Sequence, residues 1–405
     1  MTLMAYTDAL NAVLHSAQPL EAVHLPLSAS LGRVAASDLT AKFDLPRFDN
    51  SMMDGYALRF EATEHASPDH PVFFPIAATI AAGDEAPAIQ PNSAYAIMTG
   101  AAIPPDCNAV IAIENTRLID KQVVIAQALN EHENIRFAGE DFKAGQTIVQ
   151  AGERIHAGHI AVLASFGYGE ISVYRAPTVG LISTGKEIIN NFDAPLQSSQ
   201  IYNSNTPYLA AQLTEAGITT TILPHIADEP EQFKQTLESS TNDIIISTGA
   251  VSMGQWDFIP NALRELGATI IFHKVAQKPG KPILFARLAD GRYFFGLPGN
   301  PASCAVGLRF FVQPLIRALQ GLLPESSWRL SLSEAYDKKG AFRHFLKARV
   351  NWQNHSVNIL NGQESFKISP LLTANTWVIL TETQNEIAAH TSVNVVSAKL
   401  WPDHS

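Results

Sequence analysis

The sequence predicts a multidomain α/β plus β protein, and three observations carry that prediction. Residues 177–323 alternate strand-like apolar runs with helical patterns, the repeat of an α/β domain with a mainly parallel sheet. Residues 44–140, and those after about 328, hold short apolar runs separated by Pro, Gly and Asn turns, as small β units do. A chain of 405 residues is also too long for one core, since roughly 100–200 residues per domain gives two to four domains.

The first segment predicts a helix with Leu10, Val13 and Leu14 on one face and Thr7 as its cap. A second short helix is predicted over 28–36, with Leu31, Val34 and Ala35 inward. In the β region Val72-Phe73-Phe74, Tyr95-Ala96-Ile97-Met98 and the runs 110–113 and 122–125 are strand candidates. Helical spacing returns over 151–166. The α/β region gives strands at 178–182, 219–223, 243–247, 269–275, 283–286 and 293–297. Helices are predicted at 207–216, 230–237, 258–266 and from Pro301. Gly217 and Gly267 stand where helix C-caps belong. The tail gives strands at 345–350, 357–360, 377–381 and 393–396. The division that follows is a discontinuous helical domain (1–43 and 141–175), a β domain inserted into it (44–140), an α/β domain (176–325) and a C-terminal β domain (326–405).

Composition narrows the function classes. Hydrophobic residues make up 46%, which excludes a disordered chain. Charged residues are only 16%, below the ~25% average, and point to extensive burial. The net charge of −10 argues against a nucleic-acid binder, which carries a basic excess. Two cysteines, Cys107 and Cys304, make no disulfide framework and fit a reducing compartment. The N-terminus lacks the basic region of a secretory signal, and no run reaches the ~18 apolar residues of a membrane span. A cytoplasmic protein without nucleic-acid or membrane partners is expected.

The α/β region carries three glycine turns, each directly after a buried strand: Ser183-Thr184-Gly185, Ser247-Thr248-Gly249 and Gly296-Leu297-Pro298-Gly299-Asn300-Pro301. Ligands of open α/β sheets bind beyond the carboxyl ends of the strands, so these loops are expected to border one crevice. Asn300 suits an N-cap and Pro301 the first helical position. The free N–H groups of that helix would then favour an anion. Ordinary turn chemistry explains any one of these motifs better than a site does; it is the three together that point to a site. The loop Gln277-Lys278-Pro279-Gly280-Lys281-Pro282 adds two cations, as an anion site or as a solvated turn. Glu187, Asp228 and Asp257 follow strand ends, where carboxylates beside phosphates hold Mg²⁺; Asp228 and Glu229 also fit a plain helix start. In the β insertion, the run from Pro46 to Ala57 packs Asp49, Asn50, Ser51 and Asp54 among apolar neighbours and reads as a site held on a scaffold. No Walker motif, His-Glu-x-x-His or catalytic-triad signature is present.

These motifs, in this order, resemble the molybdopterin molybdenumtransferases, the family of bacterial MoeA and the gephyrin E domain. The matching stretches are Phe48-Asp49-Asn50-Ser51, Met53-Asp54-Gly55-Tyr56-Ala57, Ala82-Gly83-Asp84 and Ile97-Met98-Thr99-Gly100-Ala101. They continue through Gly139-Glu140-Asp141, the three glycine turns, Ser252-Met253-Gly254 with Asp257, and the Lys-Pro-Gly-Lys-Pro loop. The resemblance implies an α/β domain of the molybdopterin-binding type in an elongated homodimer, with the cleft shared between subunits. It implies conversion of adenylated molybdopterin and molybdate, with Mg²⁺, into molybdenum cofactor and AMP. Other proteins of cofactor biosynthesis are then candidate partners.

Carried over by position, the resemblance implies a catalytic set of Asp54, Asp141, Glu187, Asp257, Lys278 and Lys281, and Glu187, Asp228 and Asp257 as metal ligands. Substrate contacts are implied for Thr99, for Ser183, Thr184 and Gly185, and for Ser247, Thr248, Gly249 and Ser252. Pro298, Gly299, Asn300, Lys347 and Ser365 complete that set. Four positions depart from the pattern: Lys186 stands where the family has Asp, Ala250 where it has Gly, Lys347 where it has Arg, and Glu364 where it has Gly. Lys186, Lys347 and Glu364 favour a competing reading, a catalytically impaired paralogue acting as a dimeric scaffold. A third reading is the sister activity of molybdopterin adenylyltransferase, whose enzymes share the α/β module, against which the inserted β domain and the Lys-Pro-Gly-Lys loop argue.

Overall fold

The computed structural model describes residues 3–85, 87–250 and 258–400. The chain divides into two compact units, Met1–Ser37 with Ala151–His156 and Glu170–Ser405, and Asp38–Gln150 with Ala157–Gly169.

The first unit is built on a six-stranded sheet ordered Thr220–Ile222, Val179–Ser183, Ile244–Thr248, Tyr293–Leu297, Leu284–Arg287, Thr269–His273. The first four strands run parallel, and the last two are antiparallel to their neighbours. Both faces are covered, which is why the strands read as unbroken apolar runs. Val179, Leu181, Ile244, Ile246 and Phe295 pack with Leu209 and Leu213 of the Asn205–Glu215 helix on one face. Ile182, Ile245 and Phe294 pack with Phe233, Leu237 and Leu263 of the helices Pro230–Ser239 and Ile259–Glu265 on the other. Gly217 and Gly267 end their helices with φ of 72° and 73°, as expected.

From Pro301 the chain forms an α-turn segment, a π-helical turn at Leu308–Val312 and a further α segment to Leu319. These 19 residues have the length and hydropathy of a membrane span, which the sequence reading did not foresee, yet 89% of the apolar window is buried in the unit. The π turn carries Arg309 inward, where its guanidinium donates to both Glu325 carboxylate oxygens at 2.7 and 2.8 Å.

The C-terminal strands close on themselves. Arg343–Asn351 pairs with Ser356–Ile359, then come Trp328–Leu332, Ser392–Ser397 and Thr376–Leu380, which pairs back to Arg343–Asn351. The result is a five-stranded barrel around Leu346, Ala348, Val357, Val378 and Val393. The short strand Gln277–Lys278 adds to it, parallel to Arg343–His344.

The amino-terminal helix Tyr6–Ser16 forms, but its N-cap position is Ala5 and no side chain caps it, so Thr7 does not play that part. The helix expected over 28–36 is absent. A 3₁₀ turn at Leu27–Ala29 is followed by bridges from Val34 to Arg154 and from Ala35 to Val173. Backbone partners distant in sequence override a local helical spacing here.

The second unit holds a six-stranded sheet ordered Ala109–Ala112, Gly55–Leu58, Ala94–Ile97, Val72–Ile80, Gln122–Ile125, Thr116–Ile119. It also holds the pair Leu39–Thr40 with Thr147–Val149 and the helix Ala157–Ser165. The segments expected to be helical (1–43 and 141–175) thus contain one α-helix each and are otherwise strands and turns.

Candidate functional site

In the first unit, strand order reverses at Val179–Ser183. The chain goes next to Thr220–Ile222 on one side and then to Ile244–Thr248 on the other. A crevice at the carboxyl ends of the strands is expected at such a switch point. The parallel register sets Ser183 beside Thr248 and Thr248 beside Leu297, so all three glycine turns lie side by side. They are tied together: Thr184 N–H and Thr184 Oγ1 both donate to the Thr248 carbonyl, at 3.1 and 3.0 Å. Gly249 N–H donates to the Leu297 carbonyl at 2.9 Å. Gly249 has φ +97°, and a Cβ there would stand 2.8 Å from Thr184 Oγ1. Only glycine permits that approach. A Cβ on Gly299 would be 3.9 Å from the Gly249 Cα, which puts the third turn against the second.

The helix start at Pro301 is more occupied than expected. Asn300 holds the N-cap position, but its side chain does not cap the helix. Its Nδ2 donates instead to Ser365 Oγ at 3.1 Å, and the Ala302 N–H, expected to be free for an anion, donates to the Ser365 carbonyl at 3.0 Å. Pro301 has no N–H to offer. The basic loop reaches the same place: a Cβ on Gly280 would lie 3.4 Å from the Ser303 carbonyl oxygen. Lys278 and Lys281 are exposed, and Lys281 lies 5.6 Å from the Phe342 ring centre. Lys278 and His344 border a cavity of about 460 Å³ with Asn358 and Gln363. Burial, together with the charges of Lys338 and Lys278, pushes the His344 imidazole down to about 4.

Glu187 is exposed, and its carboxylate folds over Gly185 so closely that a Cβ there would be 2.7 Å from Oε2. Asp228 sits on the adjacent loop, which is joined to the first turn by Gly185 N–H donating to the Ile226 carbonyl at 3.2 Å. Asp228 adopts φ +58°, a backbone state that Asp tolerates better than most residues. Its neighbour Glu229, not Asp228, takes the N-cap position of the following helix. Among the described residues no three His, Cys, Asp or Glu side chains group as a metal site. Ser252 and Asp257 lie outside the described residues. Glu187 and Asp228 are hard oxygen donors, and Mg²⁺ commonly uses one or two carboxylates alongside substrate phosphates, so the donor set fits that ion.

Several expected binding residues are buried: Ser183, Thr184 and Thr248 are 4%, 2% and 5% exposed, and Ser247 and Lys347 are placed differently from expectation. Ser247 is fully buried and its hydroxyl makes no hydrogen bond, so it does not open onto the crevice. Lys347 is 1% exposed. Its ammonium donates to the Gly362 and Lys367 carbonyls at 2.8 and 3.1 Å, holding the loop that carries Ser365, and burial lowers its pKa. Pro298 is buried in the third turn, while Gly299 and Asn300 are exposed.

Sequence reasoning missed a polar network at the end of the first strand. His225 Nδ1 lies 3.0 Å from Ser183 Oγ, Asn190 Nδ2 donates to that oxygen at 3.3 Å, and Asn203 Nδ2 donates to Asn190 Oδ1 at 2.8 Å. Asn205 Nδ2 donates to the Gly299 carbonyl at 2.7 Å. His225, Asn190, Asn203 and Asn205 belong to none of the motifs above. The one available signal was their density after two strands, Asn190 and Asn191 and then Asn203 and Asn205.

The second unit presents its own cluster. Asp54 Oδ1 accepts the Thr99 N–H at 2.8 Å and the Thr99 hydroxyl at 3.1 Å, and both residues are exposed. The turns carrying them are locked by Gly100 N–H donating to the Ser51 carbonyl at 2.8 Å. Asp141 is exposed, with its N–H on the Leu45 carbonyl at 3.0 Å.

Comparison with known proteins adds a separate line of support. Residues 4–167 match the MoeA N-terminal region (domain I and II), and residues 180–318 match the probable molybdopterin binding domain. A Synechococcus elongatus protein named molybdopterin molybdenumtransferase is 35% identical over 403 residues, spanning 98% of this chain and all of that protein. A protein of the same name from Staphylococcus epidermidis is 33% identical, spanning 94% of this chain and 92% of its own length. Two crystal structures of the molybdopterin biosynthesis MoeA protein of Pyrococcus horikoshii superpose with TM-scores of 0.85 and 0.82 at 27% and 25% identity. They cover 99% and 97% of this chain, and 100% and 99% of their own.

Proposed function

We propose a reaction for this chain from a firm premise: it belongs to the molybdopterin molybdenumtransferase family, and it is an enzyme of molybdenum-cofactor biosynthesis. The substrate proposed is adenylated molybdopterin. Molybdate supplies the molybdenum, and AMP leaves as the pyrophosphate link is broken.

The observation that carries this reading is the convergence at the switch point. The three glycine turns lie side by side at the strand ends, and Ser365 and the Gly280 backbone approach the start of the Pro301 helix that follows the third. Such a site suits a ligand with a pyrophosphate and a small oxyanion: glycine turns admit backbone close to phosphate, and exposed lysines supply positive charge. Lys278 and Lys281 draw the anions, Thr184 and Gly249 fix the spacing of the turns, and Ser365 secures the third turn. Mg²⁺, held by Glu187 and Asp228, would neutralise phosphate charge. Asp54, Thr99 and Asp141 serve the same reaction from the second unit's fold, in a homodimer whose cleft is shared between subunits. The four-domain division given above, with limits near 43, 140, 175 and 325, belongs to this proposal, as does a cytoplasmic setting.

The test is direct. Purified protein is given adenylated molybdopterin, Mg²⁺ and molybdate, and AMP is followed with and without each ion. Release of AMP with cofactor formation, lost when Mg²⁺ is chelated, supports the proposal. Binding without turnover would favour the scaffold. Product formed only from ATP and unadenylated molybdopterin would favour the adenylyltransferase.

A further inference from the structure

The polar network behind the first glycine turn has a fixed direction. It begins at the Thr206 backbone N–H, a group that can only donate, which gives its proton to Asn203 Oδ1 at 3.1 Å. That contact sets the Asn203 amide, so its Nδ2 faces Asn190 Oδ1 at 2.8 Å. The Asn190 amide is set in turn, and its Nδ2 donates to Ser183 Oγ at 3.3 Å. Ser183 is 4% exposed, and its hydroxyl carries one proton. With Asn190 donating to it, its remaining hydrogen-bond partner among the described residues is His225 Nδ1 at 3.0 Å. The Ser183 oxygen has two lone pairs, so His225 Nδ1 is either the bare nitrogen that takes the Ser183 proton, with the ring proton on Nε2, or a second donor that leaves this largely buried proton without an acceptor among the described residues; the first arrangement satisfies every group.

We propose that His225 is a positioning residue: it takes the hydroxyl proton of Ser183 and so makes that serine a hydrogen-bond acceptor toward the crevice. The inference rests on the proposed function above for the identity of the ligand. Ser183 then cannot donate to a phosphate oxygen. The ligand group it receives is itself a donor, such as a ribose hydroxyl or a heterocycle N–H of the nucleotide-tagged pterin. The anionic groups fall to the lysine loop and the glycine turns.

Two measurements test this. In the full chain labelled with ¹⁵N-histidine, the two ring nitrogens of His225 are assigned by comparison with His225→Asn, above pH 7.5. A protonated Nε2 and bare Nδ1 support the network; a protonated Nδ1 overturns it, whatever the protein's activity. Kinetics of AMP release are then compared for His225→Leu, His225→Asn and the wild type. Asparagine places a polar δ atom where Nδ1 stands, and leucine does not. The expected result is a roughly 5- to 10-fold rise in KM for His225→Leu with kcat within about twofold, and recovery to within about twofold in His225→Asn. Equal impairment of both variants, or wild-type KM in both, overturns the positioning role. Absence of AMP release by the wild type would instead refute the reaction and leave the ring-proton result to stand or fall alone.

Discussion

Replacing Gly249 by alanine should loosen the crevice by a calculable amount. Its φ of +97° is a conformation that an L side chain adopts at a cost of roughly 1–2 kcal/mol. The new Cβ would stand 2.8 Å from Thr184 Oγ1 and 3.0 Å from the Thr184 carbonyl oxygen. Thr184 must move, which breaks the bond from its hydroxyl to the Thr248 carbonyl, worth about 1 kcal/mol. Restriction of the unfolded chain returns ~0.5–1 kcal/mol. The net loss is about 2 kcal/mol, or roughly 30-fold in local opening. Hydrogen exchange at Thr184 and Gly185, whose N–H groups donate to Thr248 and Ile226, reads it directly. Gly217→Ala is the control: φ is +72° but nothing lies within 4 Å of the new methyl, so protection at Thr184 and Gly185 should not change. Wild-type protection in Gly249→Ala would refute the claim that close approach dictates this glycine.

Three further outcomes follow from the geometry. Arg309→Met strands the Glu325 carboxylate, whose side chain is 10% exposed, and should cost about 3–5 kcal/mol; urea unfolding should show this, with Arg309→Met/Glu325→Leu recovering part of the loss. His344 is held neutral in the fold, with a pKa of about 4 against 6.5 in the open chain. The unfolded state therefore binds the proton first, and about 3 kcal/mol of stability should be lost as pH falls from 6.5 toward 4; His344→Leu should flatten that part of the pH–stability curve. Asp54→Ala removes the acceptor of both Thr99 bonds and should lower AMP release at least tenfold, with an unchanged circular dichroism spectrum showing that the fold is kept.

The α/β region was legible because its strands are buried on both faces and advertise themselves as unbroken runs such as Ile244-Ile245-Ile246. Its glycine turns follow those strands directly, so their adjacency could be argued before any coordinates. The segment 28–36 misled because Leu31, Val34 and Ala35 have helical spacing, whereas Leu31 is 63% exposed and the other two are buried by distant strands. Barrel closure was invisible because it depends on Arg343–Asn351 pairing with two strands at once, and Trp328–Leu332 was not singled out at all. Among site residues, Lys347 was carried over by position from the resemblance. Nothing local to it reveals that the Gly362 and Lys367 carbonyls will take its protons. His225 and Asn203 escaped notice for the related reason that their meaning lies in which atoms meet, not in spacing along the chain.

The two-residue strand Gln277–Lys278 stitches a stretch of the α/β region into the rim of the barrel, and the Ser365 contacts to Asn300 and Ala302 make a second stitch. A hinge needs a seam with few crossings, and this seam is sewn at both ends. The barrel is therefore fastened to the sheet as a wall and does not swing as a door.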